Sequence, residues 1–436
     1  MDLNYMDRGE LVNDRAARPD ADRTTEGTHV QGQGDSAAHI QAPGRVTDVR
    51  RRNLALVLAR IGPDAPASRA DIAVATGLTK AAVSSLVTDL LATGLVEEIG
   101  VTRAGGRGRP GVGLALDPRR GAVGAEVNVD YLAAGIVDLH GQLRVHEVAE
   151  AANRDRAPDE VLAELSELVA RCSARATDAG MTLLGGGLAV PGLVDPGRGT
   201  VLTAPNLVWH GADLSAALTG LAQPTPFGVV LSNEADSASL AELWYGCGAS
   251  LGSYLFVSGE VGVGGGLVLA AELFSGPGGH AGEVGHVVVE PGGRRCSCGG
   301  RGCLETVAGQ EAILAAAGIT GGGSTTAERM SVLRSALTAG DARALAAVAH
   351  AGHCLGIAVV SSARLVDLSA VVLGGHFATL AAWLRPALLS SLDDFAPGLI
   401  APGRAVFSEL GATAALRGAA GSVLRRALAA PYELLD

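Results

Sequence analysis

One histidine and three cysteines stand in a pattern that favours metal binding. His286 is followed by Cys296, Cys298 and Cys303, and the three cysteines fall within eight residues. Three thiolates and one imidazole fill the tetrahedral shell that zinc prefers, and a filled shell leaves no open position for catalysis. The pattern therefore predicts a structural zinc ion in a loop over residues 286–303, and it disfavours a redox role for these thiols.

The remaining cysteines and histidines give a weaker signal. Cys172, Cys247 and Cys354 stand among apolar residues, which is typical of buried thiols. His350 and His353 precede Cys354 closely enough to suggest a second metal site. Because these residues share a predicted helix with apolar residues at helical spacing, packing is the favoured interpretation.

Asn233 and Glu234 stand where a buried strand ends and a helix begins. In open α/β sheets, ligands bind at this carboxyl edge of the strands. The same pair is also an ordinary helix N-cap, so the residues alone leave both interpretations open. Glycine-rich turns at Gly259–Gly266 and Gly374–Gly375 are able to cradle a phosphate, but Leu267 stands where a dinucleotide fingerprint needs its third glycine.

The elements that must position these side chains fall into segments of different charge. The 436 residues carry a net charge of −11. Residues 1–44 are polar, hold eight acidic and four basic side chains, and show no apolar period, so they are predicted to be a disordered tail. Residues 45–120 hold twelve basic and seven acidic side chains. A basic module in an acidic chain is a candidate for nucleic-acid binding.

Lysine is nearly absent, and this excludes some chemistry. Lys80 is the one lysine, and it stands in Thr-Lys-Ala, not in the Gly-Lys-Ser/Thr of a P-loop. The large C-terminal part therefore cannot form a lysine Schiff base. Hydrophobic residues make up 48% of the chain, which excludes wholesale disorder. Because no uninterrupted apolar run reaches about 18 residues and the N-terminus lacks a signal-peptide core, a cytoplasmic protein without a membrane span is expected.

Residues 45–118 have the pattern of a winged helix-turn-helix domain. A helical stripe over residues 46–61 precedes a capping-box-like start at Ser68, a break at Gly77 and a new helix start at Thr79. A glycine- and arginine-rich hairpin follows, as a wing requires. A helical bundle used only for protein contacts is the alternative. The candidate DNA-contacting residues are small, polar or basic: Ser68, Thr79, Lys80, Ala82, Ser84, Ser85, Thr88, Arg103, Arg107 and Arg109.

Strands and helices alternate from residue 119 to the C-terminus, which predicts the α/β class. Strands are predicted at Gly121–Val127 and Ala133–Asp138. Helices are predicted at Pro158–Ala179, Asp341–Val366 and Phe377–Leu392.

These motifs together resemble the ROK family of repressors, open reading frames and sugar kinases, over most of residues 45–430. The resemblance is carried by Gly187–Asp195, Ala204–Trp209, Asn233–Glu242, Ala281–His286 with the cysteine cluster, and Gly302–Glu305. It implies a two-lobed, actin-like ATPase fold with ribonuclease H-like halves over residues 119–436. It also implies zinc on His286, Cys296, Cys298 and Cys303, and a sugar in the cleft held by Asn206, Asn233, Glu234, Glu283, His286 and Glu305.

The chain departs from the family's kinases at the phosphate-binding motifs. Those kinases begin the ATPase domain with Asp-x-Gly-Gly-Thr, whereas residues 126–131 read Glu-Val-Asn-Val-Asp-Tyr. Glu260-Val261-Gly262 stands in place of the second loop's Gly-Thr-Gly, and a carboxylate there would repel phosphate. Glu234 replaces the aspartate base and is one methylene longer. No catalytic residue is therefore assigned, and Glu234 is interpreted as a degenerate base.

The resemblance and these departures favour a sugar-responsive transcriptional repressor. A homodimer or homotetramer would bind operator DNA, and a sugar effector would change the spacing of its DNA heads. Two alternatives stay open. One is an active sugar kinase with a DNA-binding head, and the other is a DNA-binding scaffold that answers to a protein partner.

Overall fold

The computed structural model describes residues 46–62, 66–102, 111–221, 225–321 and 325–435. The predicted tail and the wing arginines Arg103, Arg107 and Arg109 lie outside these described residues. Val46–Asp436 form one compact unit. The domain boundaries drawn from the sequence stay predictions.

The N-terminal part of this unit is a winged helix, as predicted. Its elements are α1 (Val46–Ile61), β1 (Ala67–Ser68), α2 (Arg69–Thr76), α3 (Lys80–Thr93), β2 (Val96–Thr102) and β3 (Gly111–Leu116). The three strands form an antiparallel sheet in the order β1-β3-β2. Ser68 and Asp71 close a capping box at the start of α2, and Gly77 ends α2 in the left-handed conformation. Local capping chemistry therefore sets the turn between α2 and α3.

The first lobe of the C-terminal part follows directly. Its elements are β4 (Arg120–Val127), β5 (Tyr131–Asp138), β6 (Leu143–Glu150), α4 (Pro158–Asp178), β7 (Thr182–Val190), β8 (Leu193–Asp195), β9 (Thr200–Ala204), β10 (Trp209–Asp213), α5 (Ser215–Leu221), β11 (Val229–Asn233) and α6 (Glu234–Tyr245). The buried face of α4 packs on the sheet and forms the core of this lobe.

The second lobe contains the remaining elements. They are β12 (Tyr254–Gly259), β13 (Val263–Leu269), β14 (Glu272–Leu273), α7 (Glu305–Ala308), α8 (Gln310–Ala317), α9 (Thr326–Thr338), α10 (Ala342–Val366), β15 (Val371–Gly375), α11 (His376–Thr379), α12 (Ala381–Phe395), β16 (Ala405–Phe407) and α13 (Ala414–Ala429). The lobe also contains short 3₁₀ turns, among them Val284–His286 before α7 and Pro431–Leu434 after α13.

The two lobes repeat one sheet topology. The first sheet has the order β11-β7-β4-β5-β6 and the second the order β14-β13-β12-β15-β16. In each sheet, three strands form an antiparallel meander and two further strands add in parallel beside the first strand of the meander. Two such halves make the predicted actin-like, ribonuclease H-like fold.

The predicted helix Phe377–Leu392 is wrong in one respect, because two helices occupy this stretch. The chain leaves the helical conformation at Leu380 (φ −97°, ψ 8°), between α11 and α12. The apolar spacing continues through the break, and Leu380 and Leu384 are both fully buried. The sequence period therefore carries no sign of it.

Helix α13 packs against both the first lobe and the winged helix. Its apolar residues Leu416, Val423 and Leu424 lie in the same buried cluster as Leu54 of α1 and Leu86 of α3. The winged helix therefore has no separate core among the described residues. Its apolar face is packed on the first lobe and on the C-terminal helix.

Among the described residues, α10 is long and apolar enough to cross a membrane by length and composition. Of its most apolar window, 61% is buried inside the protein, and the helix packs between the other helices of the second lobe. Helices α2 and α3 pass the same test only as a pair bent by 116°. Burial accounts for the apolar character of α10, as for the core helix of a globular domain.

Candidate functional site

A cavity of about 810 Å³ opens where the lobes meet. Its walls include all six residues that the resemblance implied for a sugar: Asn206, Asn233, Glu234, Glu283, His286 and Glu305. These residues come from both lobes and include His286 of the predicted zinc loop (residues 286–303), so only the folded chain brings them together. Their roles as ligands stay predictions.

The hairpin of β9 and β10 supplies one wall of this cavity. It presents Thr203, Asn206 and His210 to the cavity. Trp209 is buried beside them, and its Nε1 donates a hydrogen bond of 2.9 Å to the carbonyl oxygen of Arg156. This anchor fixes the hairpin to the body of the first lobe, and so positions the amide of Asn206.

Asn233 serves as a helix cap and a loop anchor. Its Oδ1 accepts a hydrogen bond of 3.0 Å from the backbone N–H of Asp236, and its Nδ2 donates one of 2.7 Å to the carbonyl oxygen of Gly192. The side chain therefore begins α6 and holds the Pro191–Gly192 turn against the cavity. Both interpretations of Asn233 that the sequence left open are compatible with this position.

The four predicted zinc ligands converge. Sγ of Cys298 lies 3.7 Å from Sγ of Cys303, and Sγ of Cys296 lies 3.7 Å from Nδ1 of His286. All four ligand atoms lie within 4.8 Å of one another. Ligand atoms around one tetrahedral zinc ion are roughly 3.5 to 3.8 Å apart, so the two 3.7 Å distances match such an ion and the four residues together can hold one.

Backbone hydrogen bonds close the loop that carries these ligands. The N–H groups of Val289 and Glu290 both donate to the carbonyl oxygen of Gly302, at 2.9 and 3.1 Å. Gly302 has a φ of +72°, and a Cβ there would lie 1.8 Å from the carbonyl oxygen of Glu290. Only glycine allows this approach, which explains its place beside Cys303.

The loop also positions the carboxylate of Glu305. Its Oε1 accepts a hydrogen bond of 3.2 Å from the hydroxyl of Ser297, and its Oε2 accepts one of 3.3 Å from the N–H of Val263. His286 turns Nδ1 to the thiols, while its Nε2 lies 3.6 Å from Oε2 of Glu283 on the cavity side. A metal on Nδ1 would thus fix the ring that faces the cavity.

The thiols differ in acidity. The N–H of Gly300 donates to Sγ of Cys298 and lowers the pKa of that thiol. Burial raises the pKa of Cys303 to about 12. A metal ion binds the thiolate form, so its binding has to displace protons, and metal affinity should rise with pH.

A second, smaller cavity shares Glu234, Ser258 and Glu260 with the first one. Its walls also include Glu126, Tyr131 and the Gly374–Gly375 turn. The phenolic hydroxyl of Tyr131 donates a hydrogen bond of 2.6 Å to Oε1 of Glu126. The two glutamates of the altered phosphate motifs and the degenerate base therefore face one space, beside a glycine turn.

These three carboxyls resist ionisation. Burial raises the pKa of Glu126 to about 7, although the hydrogen bond from Tyr131 lowers it. Burial, with the charges of Glu126 and Asp130, raises the pKa of Glu260 to about 8. Burial and the charges of Glu126 and Glu260 likewise raise the pKa of Glu234. A polyanion such as a triphosphate would meet an acidic, desolvated wall here.

Most of the predicted DNA-contacting residues lie on one exposed face of the winged helix. Thr79, Lys80, Ser84, Ser85 and Thr88 are exposed, and Ala82 is half-buried at the first turn of α3. Arg50 donates to the hydroxyl of Ser85 at 3.2 Å and pairs with Asp89, so a guanidinium from α1 lies on the same face.

Ser68 differs from the other predicted DNA contacts. Its side chain is buried, and its hydroxyl donates a hydrogen bond of 2.6 Å to Oδ2 of Asp71. The hydroxyl is thus occupied as the N-cap of α2. The structural role of this side chain is therefore a helix cap, and a DNA contact at Ser68 stays a prediction.

Sequence reasoning did not single out Thr203, His210, His280 or Ser297, all of which line the larger cavity. His210 directly follows the Ala204–Trp209 motif, so extending that motif by one residue would have found it. Thr203, in β9, directly precedes the same motif. His280 directly precedes the Ala281–His286 motif, and Ser297 stands between the predicted zinc ligands Cys296 and Cys298.

Comparison with known proteins identifies the families to which this architecture is similar. The ROK family matches residues 122–426, and the MarR family matches residues 53–108 within the winged helix. The chain belongs to the ROK family. The matched residues 122–426 cover both lobes, the predicted zinc loop (residues 286–303) and most of α13.

Individual ROK relatives include repressors and a kinase. The chain is 32% identical to the xylose repressor of Bacillus spizizenii over 271 residues, which cover 62% of this chain and 68% of the repressor. It is 35% identical to a glucokinase of Halalkalibacterium halodurans over 205 residues, covering 44% of this chain and 61% of the kinase. A solved ROK family transcriptional regulator, a homolog of the Escherichia coli MLC protein, superposes with a TM-score of 0.70 at 25% identity, covering 89% of this chain and 98% of that regulator.

Proposed function

We propose that this ROK protein is a sugar-responsive transcriptional repressor, which binds operator DNA through its winged helix and a carbohydrate effector in the larger cavity. The observation that carries the proposal is a buried hydrophobic cluster to which the winged helix, the first lobe and α13 all contribute. Two sites joined through one packed core bias each other, because a close-packed interior transmits small shifts.

A continuous set of contacts leads from the cavity to α3, the helix whose exposed face is proposed to contact DNA. Helix α6 begins at the cavity wall, and α13 packs against it so closely that a Cβ on Gly418 would lie 1.7 Å from the carbonyl oxygen of Ser237. The turn Pro431–Leu434 after α13 packs against α1 and α3. The guanidinium of Arg51 lies 4.5 Å from the centre of the Tyr432 ring. Movement of α6 therefore has a direct route to the DNA head.

The cavity offers the groups that recognise vicinal hydroxyls. Glu283 and Glu305 accept hydrogen bonds, Asn206 can accept and donate, and the imidazole of His286 presents its Nε2. Structural zinc on His286, Cys296, Cys298 and Cys303 would hold this imidazole and the Glu305 loop in place. The proposed effector is thus a neutral sugar.

The repressor is proposed to act as a homo-oligomer in the cytoplasm. Two copies of the winged helix match the two half-sites of a palindromic operator, as in other helix-turn-helix proteins. The exposed face of α3, with Lys80 and the nearby Arg50, would lie in the major groove. The effector would act on the spacing of the two heads.

Kinase activity is proposed to be absent. The glucokinase relative favours the opposite view, because it shares the ROK fold. In this chain, however, Glu126, Glu234 and Glu260 line the smaller cavity with desolvated carboxyls. In the protonated form they leave the charge of a nucleotide's phosphates uncompensated, and in the ionised form they repel it. A coupled assay with a panel of aldoses is expected to show no sugar-dependent ATP turnover. Turnover at ordinary enzyme rates, about 1 to 10³ per second, would overturn this part of the proposal.

The DNA-binding proposal is tested by fluorescence anisotropy with the DNA upstream of the protein's own gene, at low salt, with and without each aldose. One aldose is expected to change the affinity by about 5- to 150-fold. Glu305→Gln should abolish that change, whereas the exposed control Glu272→Gln should keep it. Absence of DNA binding at low salt would contradict the proposal. DNA binding without any sugar effect, and without a sugar-induced rise in melting temperature, would favour a protein partner as the effector.

A further inference from the structure

Three ligand-type side chains meet outside the cavity and outside the four-residue zinc cluster. Nε2 of His350 lies 2.8 Å from Oε1 of Glu290 and 3.8 Å from Sγ of Cys354. The three ligand atoms all lie within 4.8 Å of one another. His350 and Cys354 are four residues apart on α10 and so share one face of the helix. Glu290 comes from the loop 286–303, sixty residues earlier.

The geometry matches a small transition-metal ion. The three ligand atoms form a triangle with sides of 2.8 Å, 3.8 Å and at most 4.8 Å. One point in the plane of this triangle is equally distant, roughly 2.4 Å or less, from all three atoms, which is close to zinc bond lengths of about 2.0 to 2.3 Å. A small rotation of the Glu290 carboxylate would equalise the edges. One imidazole, one thiolate and one carboxylate also form a donor set of intermediate softness, which suits zinc better than magnesium or calcium.

Burial leaves an entry path for such an ion. Cys354 is 2% exposed and forms the floor of the cluster. The side chains of His350 and Glu290 are 51% and 35% exposed, so they face solvent. A metal ion would enter from that side, and water would complete its fourth position, as in three-ligand zinc sites.

We propose that Glu290, His350 and Cys354 form a second zinc site, which cross-links the loop 286–303 to α10. The backbone of Glu290 is part of that loop's closure, since its N–H donates to Gly302 at 3.1 Å and its carbonyl oxygen accepts from Gly293 at 2.8 Å. An ion on the Glu290 side chain therefore holds the loop that carries the first site against the long core helix. The second site does not depend on the proposed sugar or DNA binding.

A simple ion pair beside a buried thiol is the competing explanation. His350 and Glu290 are close enough for a charged hydrogen bond, and Cys354 packs in the core of the second lobe. The sequence favoured packing for this stretch, because His350 and Cys354 share a helix with apolar residues at helical spacing. The two explanations differ in the number of metal ions bound.

The test is zinc stoichiometry in tag-free, full-length protein, dialysed against excess Zn²⁺ and then against buffer, and measured by mass spectrometry. Two zinc ions per chain are expected. His350→Ala and Cys354→Ser should each bind one, and Cys298→Ser should lose the other one. His353→Ala is the matched control, because His353 lies on the same helix, packs against Phe395 at 5.6 Å between ring centres, and should leave both ions in place.

Cobalt substitution gives a second measurement that does not rely on counting. Co²⁺ in the second site should add a thiolate-to-metal charge-transfer band that Cys354→Ser removes and Cys298→Ser retains. One zinc ion per chain, lost only in Cys298→Ser, would overturn the second site and leave the first intact. Two zinc ions in His350→Ala would likewise overturn it. Neither result bears on the anisotropy experiment, so the two proposals fail separately.

Discussion

The guanidinium of Arg120 donates a hydrogen bond of 3.0 Å from Nε to the carbonyl oxygen of Gly94. Gly94 ends α3 in the left-handed conformation, and Arg120 is the first residue of β4, the first strand of the first lobe. A Cβ on Gly94 would lie 1.9 Å from this guanidinium. The contact thus joins the end of α3 directly to the sheet of the first lobe.

Replacing Arg120 by Met keeps an unbranched apolar side chain as far as the position of Nε and removes the guanidinium together with this bond. The variant is expected to lose about 1 to 2 kcal/mol of unfolding free energy and to show a smaller effect of sugar on DNA affinity. Urea unfolding and anisotropy with and without sugar measure the two quantities. Arg198→Met is the control, because Arg198 is 83% exposed and pairs with Asp195 three residues earlier, within its own turn of the first lobe. An unchanged sugar effect in Arg120→Met would show that coupling does not pass this contact.

Cys298→Ser should lose the first zinc ion and the sugar response together. The loop that holds the ion also positions His286 and Glu305 at the cavity, so loss of the ion releases both groups. Zinc analysis and a sugar-panel thermal shift follow the two effects. Cys172→Ala, a buried thiol in the core of the first lobe, should retain both properties. A full zinc content in Cys298→Ser would contradict the ligand set.

Stability should depend on pH through the buried carboxyls. The pKa of Glu126 is raised to about 7 from its ordinary 4.5, so between these values the folded chain holds a proton that the unfolded chain has lost. This group therefore stabilises the fold below about pH 4.5, and its contribution disappears as the pH rises through about 7. Glu126→Gln keeps an acceptor for Tyr131 and removes the titration.

We expect Glu126→Gln to melt at a higher temperature than wild type above pH 7, with a difference that shrinks towards pH 5. Thermal unfolding across this range measures it. Glu147→Gln is a suitable control, because arginines lower the pKa of Glu147 and removing that carboxylate should give the opposite sign, a loss of stability at neutral pH. A pH-independent difference for Glu126→Gln would mean that Glu126 is ionised throughout.

Lys80 should contribute to DNA affinity through charge. It is exposed at the first turn of α3, where a phosphate contact would act on all sequences alike. Lys80→Gln is expected to weaken binding to any DNA and to reduce the slope of log affinity against log salt by about 1. Arg334→Gln, on the exposed face of α9, should leave the slope unchanged. An equal slope in Lys80→Gln would remove Lys80 from the proposed interface.

The sequence was informative where the chemistry is local. The capping box of Ser68 and Asp71 and the left-handed Gly77 are confirmed, because caps depend on residues three or four apart. The family motifs also led to the correct two-lobed fold. The break at Leu380 was missed, since its apolar neighbours keep the helical period on both sides.

Contacts between residues far apart in the chain could not be predicted from the sequence. Glu290 meets His350 across sixty residues, and the hairpin residue His210 meets the cavity only because Trp209 is anchored on Arg156. The meeting of Glu126, Glu234 and Glu260 required the two sheets to be placed first. Such convergences are set by tertiary packing, and no spacing along one chain encodes them.

The common core of the winged helix and α13 limits how this protein can exchange parts with its relatives. The apolar face that Leu54 and Leu86 present is complementary to Leu416 and Val423, which lie more than three hundred residues later. A DNA head grafted from another regulator would meet a mismatched surface unless residues 414–435 came with it. In the repressor proposed above, operator preference would therefore be inherited as a discontinuous unit, with one piece in residues 46–116 and the other in residues 414–435.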